Sequence, residues 1–114
     1  LQFKGNPDVF FAGQISGVEG YMESTAMGLL AGLNAASILE GKSPAPPPRE
    51  TAIGALVHYI TAPESADNFQ PMNIHFGILP PAAVRGMKKK ERHLFCVHRS
   101  LQALTDWMRD RELV

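Results

Sequence analysis

Three glycines, Gly13, Gly17 and Gly20, stand between a short apolar run, Val9–Ala12, and the helical spacing that begins at Tyr21. That join constrains the chain more than any other stretch. Glycine reaches left-handed backbone without steric cost, so a strand ending at Ala12 can turn sharply and start a helix near Gly20. The first amides of a helix have no intrahelical acceptor, and the helix dipole makes that end electropositive. Such a turn can hold a phosphate or the electron-rich edge of a heterocycle. It can equally be a plain strand-to-helix turn, and it is not a GxGxxG fingerprint.

The run Val9–Ala12 reads as a short buried strand preceded by a turn at Asn6-Pro7-Asp8, and no second strand of comparable strength follows. A lone strand leaves its backbone groups unpaired. The expectation is therefore a C-terminal piece of a larger protein whose main sheet lies upstream of Leu1. Tyr21–Leu39 places Met22, Ala26, Leu29, Leu30, Leu33 and Ile38 at the spacing of a helix with one buried stripe. Gly28 and Gly32 fall inside it at a cost of about 1 kcal/mol each relative to Ala, which predicts a second backbone passing close to that face. Gly41 closes the helix.

Four prolines in the five positions 44–48 make an extended connector over 42–50. A second helix fits 51–61, with Thr51 as its cap and Ile53, Leu56, Val57 and Ile60 on one face. The segment 63–81 is rich in turn formers yet apolar enough to require packing, and the alternation Met72, Ile74, Phe76, Ile78 permits a short edge strand. From Gly86 to the end runs the strongest helical pattern, with the stripe Leu94, Val97, Leu101, Leu104 and Met108 widened by Phe95, His98 and Trp107. The fold class is mainly α with a short β segment. Its division is a strand–turn–helix over 1–41, a linker over 42–50 and a helical region over 51–114.

With 114 residues the chain is enough for one domain. Eleven basic residues balance eleven acidic ones, so net charge argues neither for nor against nucleic acid. Cys96 is the sole cysteine, which excludes an internal disulfide and fits a reducing compartment. No run of eighteen apolar residues occurs. A cytoplasmic setting is the expectation.

The stretch "FFAGQISGVEGYMESTAMGLLAGLNAA" resembles the C-terminal flavin motif of the GidA-like flavoproteins, in which Ala-Gly-Gln precedes a glycine-rich turn and a helix ending in "GLLAGLNAA". "GVEGYMES", "TAIGALVHYIT" and "NFQPMNIHFGILPP" then follow in the order and spacing of that family's folate-dependent tRNA uracil-5 methyltransferase branch. The "FQPMN" segment separates this branch from the wobble-uridine branch, which remains the alternative. His75 departs from the pattern, where asparagine is expected. The resemblance implies an α/β two-dinucleotide-fold flavoprotein of which this is the C-terminal fragment. It further implies FAD as carrier, methylenetetrahydrofolate as methylene donor, NAD(P)H as reductant and a T-loop uridine of tRNA as acceptor. The fingerprint for the cofactor's pyrophosphate and the cysteine nucleophile belong to the upstream part, so these residues alone are expected to hold no FAD and to be inactive.

In related two-dinucleotide-fold flavoproteins this helix points its N-terminus at the pyrimidine edge of the isoalloxazine. The resemblance thus marks Gly13, Gln14, Ile15, Gly17, Glu19, Gly20 and Tyr21 as cofactor-binding, as the second wall of a flavin site. Glu19 and Glu23 either bind ribityl or pterin groups or simply stabilise the helix dipole. Cys96 reads as a core residue, and His58, His93 and His98 lack the spacing of a metal site. Arg85, Lys88, Lys89, Lys90 and Arg92 crowd a helix start, where the dipole disfavours cations. They are either contacts to tRNA phosphates or a solvated helix end. A self-sufficient RNA-binding module and an oligomerisation domain are the competing classes, and neither explains the glycine turn together with "FQPMN".

Overall fold

The computed structural model describes residues 1–114 apart from the side chain of Ser65. The chain opens with a hairpin. Strand β1, Gln2–Phe3, pairs antiparallel with β2, Asn6–Phe10, around a turn at Lys4–Gly5. The expected turn at Asn6-Pro7-Asp8 is thus part of a strand, and the strand's partner precedes it. Pro7 is tolerated because a two-stranded sheet is all edge. The expected burial of this strand is also absent, since only Phe10 of β2 is even half-buried. Phe3 and Phe11 meet edge to face at 5.7 Å on the hairpin's surface.

A 3₁₀ turn over Gly13–Ser16 follows, then helix α1, Tyr21–Leu39. Gly41 takes positive φ after its last turn and donates its amide to Ile38 O at 2.9 Å. The helix sits as its spacing predicts, but a different stripe is buried. Met27, Leu30, Ala31 and Asn34 face inward, while Met22 and Leu29 face out, Leu29 being 65% exposed. Among the described residues no other backbone approaches Gly28 or Gly32, because a Cβ at either would meet nothing within 4 Å outside its own helix. The outer face of α1 is open, from Tyr21 through Gly28 and Gly32 to Leu39.

The close backbone approach lies instead in helix α2, Ala52–Thr61. A Cβ on Gly54 would land on the carbonyl oxygens of Pro47 and Pro48. The proline run is extended, as its composition requires, but it is pinned at both ends. Asn34, buried in α1, accepts the amide of Ala45 through Oδ1 at 3.3 Å, and Thr51 donates its amide to Pro48 O at 2.9 Å. Thr51 Oγ1 also accepts from Gly54 N–H at 2.9 Å and donates to Pro48 O at 2.6 Å. That hydroxyl caps α2 and ties the linker to it.

Helix α3, Lys89–Asp110, straps the other elements together. Ser100 Oγ accepts from Ala52 N–H at 3.1 Å, Arg111 donates to Ser37 Oγ at 3.0 Å, and Arg99 donates to the Pro81 carbonyl at 3.2 Å and to that of Pro80. Cys96 is buried on its inner face, and Trp107 packs on the core. The stripe expected to be buried is turned partly outward, with Leu94, Val97 and Leu101 exposed. The pattern marks an apolar face correctly, but the chain supplies no partner for it. The segment 63–81 forms no edge strand; Phe76–Ile78 is a 3₁₀ turn and Met72 makes a single bridge. The result is a mainly α fold with a small β segment around a core of Val18, Met27, Leu30, Leu56 and Val57. Among the described residues, no helix is long and apolar enough to cross a membrane.

Replacing Gly54 by alanine should destabilise the fold by about 1–3 kcal/mol, the usual cost of overpacking. The added methyl must displace backbone rather than a flexible side chain. Gly32→Ala should be neutral or slightly stabilising in the same chain, since its Cβ meets open space and alanine favours the helix. Urea unfolding of the two variants tests the contrast.

Candidate functional site

The glycine turn is built around one parallel bridge between Val18 and Met72. Glu19 N–H donates to Met72 O at 3.0 Å, and Met72 N–H donates to Gly17 O at 3.1 Å. Val18 itself is buried in the core, at 1% exposure. The "FQPMN" segment therefore lies directly against the turn, although about fifty residues separate the two in sequence.

All three glycines of the turn have φ between +81° and +89°, which explains the residue type at each. Their missing side chains point at the chain's own atoms. A Cβ on Gly17 would strike the ring of Phe69, and one on Gly20 would strike the Glu23 carboxylate and the Asn73 amide. At Gly13 it would touch Ser24 at 3.6 Å. The turn is thus glycine-rich to admit "FQPMN" and to close on α1.

Glu23 completes this clamp. Its Oε1 accepts the Ile74 amide at 3.2 Å and the Asn73 side-chain amide at 3.5 Å. Its carboxyl is held below the ordinary glutamate range by its own backbone N–H first, then by Ile74 N–H and Asn73, against a desolvation penalty. The first turn of a helix is where an acidic side chain is favoured in any case. Sequence reasoning weighed Glu23 only as a ligand or a dipole partner. Its bond to the loop was missed because nothing local marks it.

On the outer side, Gln14, Gly20, Tyr21 and Ser24 line an open hollow at the start of α1. Gly20 caps the helix without any side-chain hydrogen bond. Tyr21 is 95% exposed, and Gln14, Ile15 and Glu19 are exposed as well, whereas Gly13 and Gly17 are buried. The seven residues marked in the sequence are therefore contiguous, but they divide. Gln14, Ile15, Gly20 and Tyr21 border accessible space, Glu19 spends its amide on Met72, and Gly13 and Gly17 support from beneath.

The basic run opens α3 at a distance in sequence from this turn. Arg85, Lys88, Lys89, Lys90 and Arg92 are all exposed, and among the described residues none of the five forms an ion pair. Glu91 accepts the amide of Lys88 at 2.8 Å, which caps the helix. His93 stacks flat on Phe76 with ring centroids 3.8 Å apart. His75 Nδ1 accepts from Gly77 N–H at 3.0 Å, so the histidine caps the 3₁₀ turn as an asparagine carboxamide can. His58 and His98 are exposed, and among the described residues no group of three His, Cys, Asp or Glu side chains is placed to hold a metal.

Residues 1–43 match the family model described as glucose inhibited division protein A. Nearly the whole chain is similar to proteins named methylenetetrahydrofolate–tRNA-(uracil-5-)-methyltransferase TrmFO. The match to that of Pelotomaculum thermopropionicum is 54% identical over 104 residues, 91% of this chain and 24% of the relative. To that of Desulforamulus reducens it is 50% over 113 residues, 99% of this chain and 25% of the relative. To that of Cereibacter sphaeroides it is 48% over 110 residues, 95% and 25% respectively. The chain spans about a quarter of the length of the curated relatives it matches.

Glu23→Ala should release the loop at Asn73–Ile74, whereas Glu23→Gln, which keeps an acceptor oxygen, should retain most of the contact. Because the carboxyl is held below its unfolded value, its contribution is complete above the ordinary glutamate range and disappears as pH falls through the lowered value. Melting temperature followed from neutral to acid pH should fall less steeply in Glu23→Gln than in the parent. Parallel curves would remove Glu23 from the clamp.

Proposed function

We propose that this chain is the C-terminal part of a methylenetetrahydrofolate- and FAD-dependent tRNA (uracil-5-)-methyltransferase that modifies a T-loop uridine. The observation that carries the reading is the seating of "FQPMN" against the glycine turn, in a chain about 50% identical to TrmFO proteins over nearly all its length. The clamp gives the branch-specific segment a structural partner in the family-specific turn. A stand-alone RNA-binding or oligomerisation domain would not call for either.

The residues fit a flavin edge. The uncapped start of α1 offers amides at Gly20 and Tyr21 beside the exposed side chains of Gln14, Ile15 and Tyr21, and an electropositive helix end favours an electron-rich ring by about 0.3–2 kcal/mol depending on burial. When bound, FAD supplies the redox and one-carbon carrier chemistry, with NAD(P)H as the reductant. The chain's own part is to bind and orient. Gly13 and Gly17 hold the turn from below, Gly20 sets the entry of the helix, and Tyr21 presents an aromatic face to the hollow. Glu23 belongs to the clamp, and Glu19 joins it through its backbone amide alone, which leaves its exposed side chain to face the cofactor.

In this reading residues 1–41 form the second wall of the flavin site, 42–50 connect, and 51–114 support the wall and carry the basic run. The first wall comes from the rest of a longer protein. Its docking face is the outer side of α1, where Met22, Leu29 and Leu39 stand exposed beside the open Gly28 and Gly32. Burying that face would return the cost of interior glycine through close backbone approach. Arg85, Lys88, Lys89, Lys90 and Arg92 then contact tRNA phosphates, and the protein works in the cytoplasm.

The full-length protein should purify yellow and transfer a methyl group from methylenetetrahydrofolate to tRNA, whereas residues 1–114 alone should show no flavin absorbance. A colourless full-length protein would overturn the assignment.

The double change Lys88→Ala with Lys89→Ala should flatten the plot of log tRNA affinity against log salt by about two slope units or slightly less. The loss should be alike for different tRNAs, since phosphate contacts do not read bases. Flavin content should be unchanged. An unaltered slope would return the run to an ordinary solvated helix end.

A further inference from the structure

The 3₁₀ turn Phe76–Ile78 lays the Phe76 ring flat on His93, with centroids 3.8 Å apart and planes 1° from parallel. One face of Phe76 is thereby occupied, yet the residue remains 42% exposed. The turn that presents it is fixed from within by the Gly77 amide bonded to His75.

Cations neighbour the His93 side of this pair along α3. Lys89 precedes His93 by four residues and Lys90 precedes it by three, so both are neighbours of His93 on the helix surface, and Arg92 adjoins it. All three are exposed and unpaired among the described residues. Their placement in the first turn of α3 opposes the helix dipole, so within the chain they cost stability. A flat aromatic surface bordered by cations matches an unpaired nucleotide, whose base stacks while its flanking phosphates pair. An acidic peptide would use the charges but leave the flat ring idle.

We infer that Phe76, backed by His93, stacks an unpaired base of the bound tRNA while Lys89, Lys90 and Arg92 hold the adjoining phosphates. This rests on the tRNA-methyltransferase reading and adds to it a base-contacting surface at the loop's 3₁₀ turn. The pair acts as one platform: His93 holds the ring in place, so little ordering remains to be done when the base arrives.

The test uses the full-length flavin-loaded protein and unmodified tRNA. Phe76→Leu should weaken tRNA binding about five- to a hundredfold, the range of one lost base–aromatic stack, with the salt slope unchanged because no phosphate contact is removed. Flavin content should stay at the parent level. Phe76→Trp should bind like the parent, and its added indole emission should be quenched by tRNA and by a single-stranded oligonucleotide but not by polyglutamate. Parental affinity in Phe76→Leu, a changed salt slope, or equal quenching by polyglutamate would each overturn the inference while leaving the methyltransferase reading intact. Should Phe76→Leu fail to fold, the quenching experiment on Phe76→Trp decides alone. If the parent itself neither binds nor methylates tRNA, the functional reading falls and the inference falls with it.

Discussion

The bridge between Val18 and Met72 is the contact on which the rest of the molecule depends. Its two hydrogen bonds, at 3.0 and 3.1 Å, fasten a segment from the middle of the chain to the turn that starts α1. Because Val18 is also a core residue, the bridge fixes the turn and the core in one step. Phe69 can lie against the turn only if position 17 has no side chain, and Glu23 can reach Ile74 only if position 20 has none. Two glycines, an aromatic ring and a carboxylate thus follow from a single pairing.

The core that this pairing organises is small. Val18, Met27, Leu30, Leu56 and Val57 are its buried members, with Trp107, Ile53 and Ile60 among the partly buried residues against it. Much of the apolar surface lies elsewhere, on the outer faces of α1 and α3 and on the hairpin. In the proposed reading, the rest of a longer protein covers these faces. The hydrogen bonds that tie α3 to Ser37, Ala52 and Pro81 show how the remainder keeps its shape. They add specific polar ties at the middle of one long helix and just past its C-terminal end.

Local chemistry was legible in the sequence; the choice of partner was not. Gly20 and Gly41 bracket α1 as expected, and Thr51 caps α2 with its hydroxyl, because capping is decided within a few residues. The hairpin was missed since β1 is only Gln2–Phe3, too short to carry any periodicity, and Pro7-Asp8 imitates a turn. Periodicity locates apolar faces on α1 and α3 but cannot say which is covered by this chain, so Met22, Leu29, Leu94 and Leu101 were assigned inward and lie outward. Glycine in a helix signals close approach without naming the helix. The contact came at Gly54, where the linker passes, and not at Gly28 or Gly32. Of the site, the glycine turn was readable because positive φ has a residue signature. The clamp was not, since Glu23 and Ile74 are 51 positions apart and neither residue type announces the bond.

The division between the two sides of the turn has a consequence for binding. On the inner side the positions of the missing Cβ atoms of Gly17 and Gly20 are filled by Phe69 and the Glu23–Asn73 pair, so the turn's conformation is set by the chain's own packing. On the outer side the helix start is uncapped and Tyr21 is free. A ligand arriving there meets donors already in position and need not order the loop. Ordering a flexible loop costs binding energy, and a turn held from behind avoids that cost. The proposed flavin edge would therefore act on a wall that exists before it binds. Changes in the clamp residues would alter affinity indirectly, through the angle at which α1 leaves Gly20, without touching the ligand at all. Substitutions at Gln14 or Tyr21 act from the other side and leave the bridge to Met72 in place, so the two sides of the turn can be separated by experiment even though only a few residues divide them.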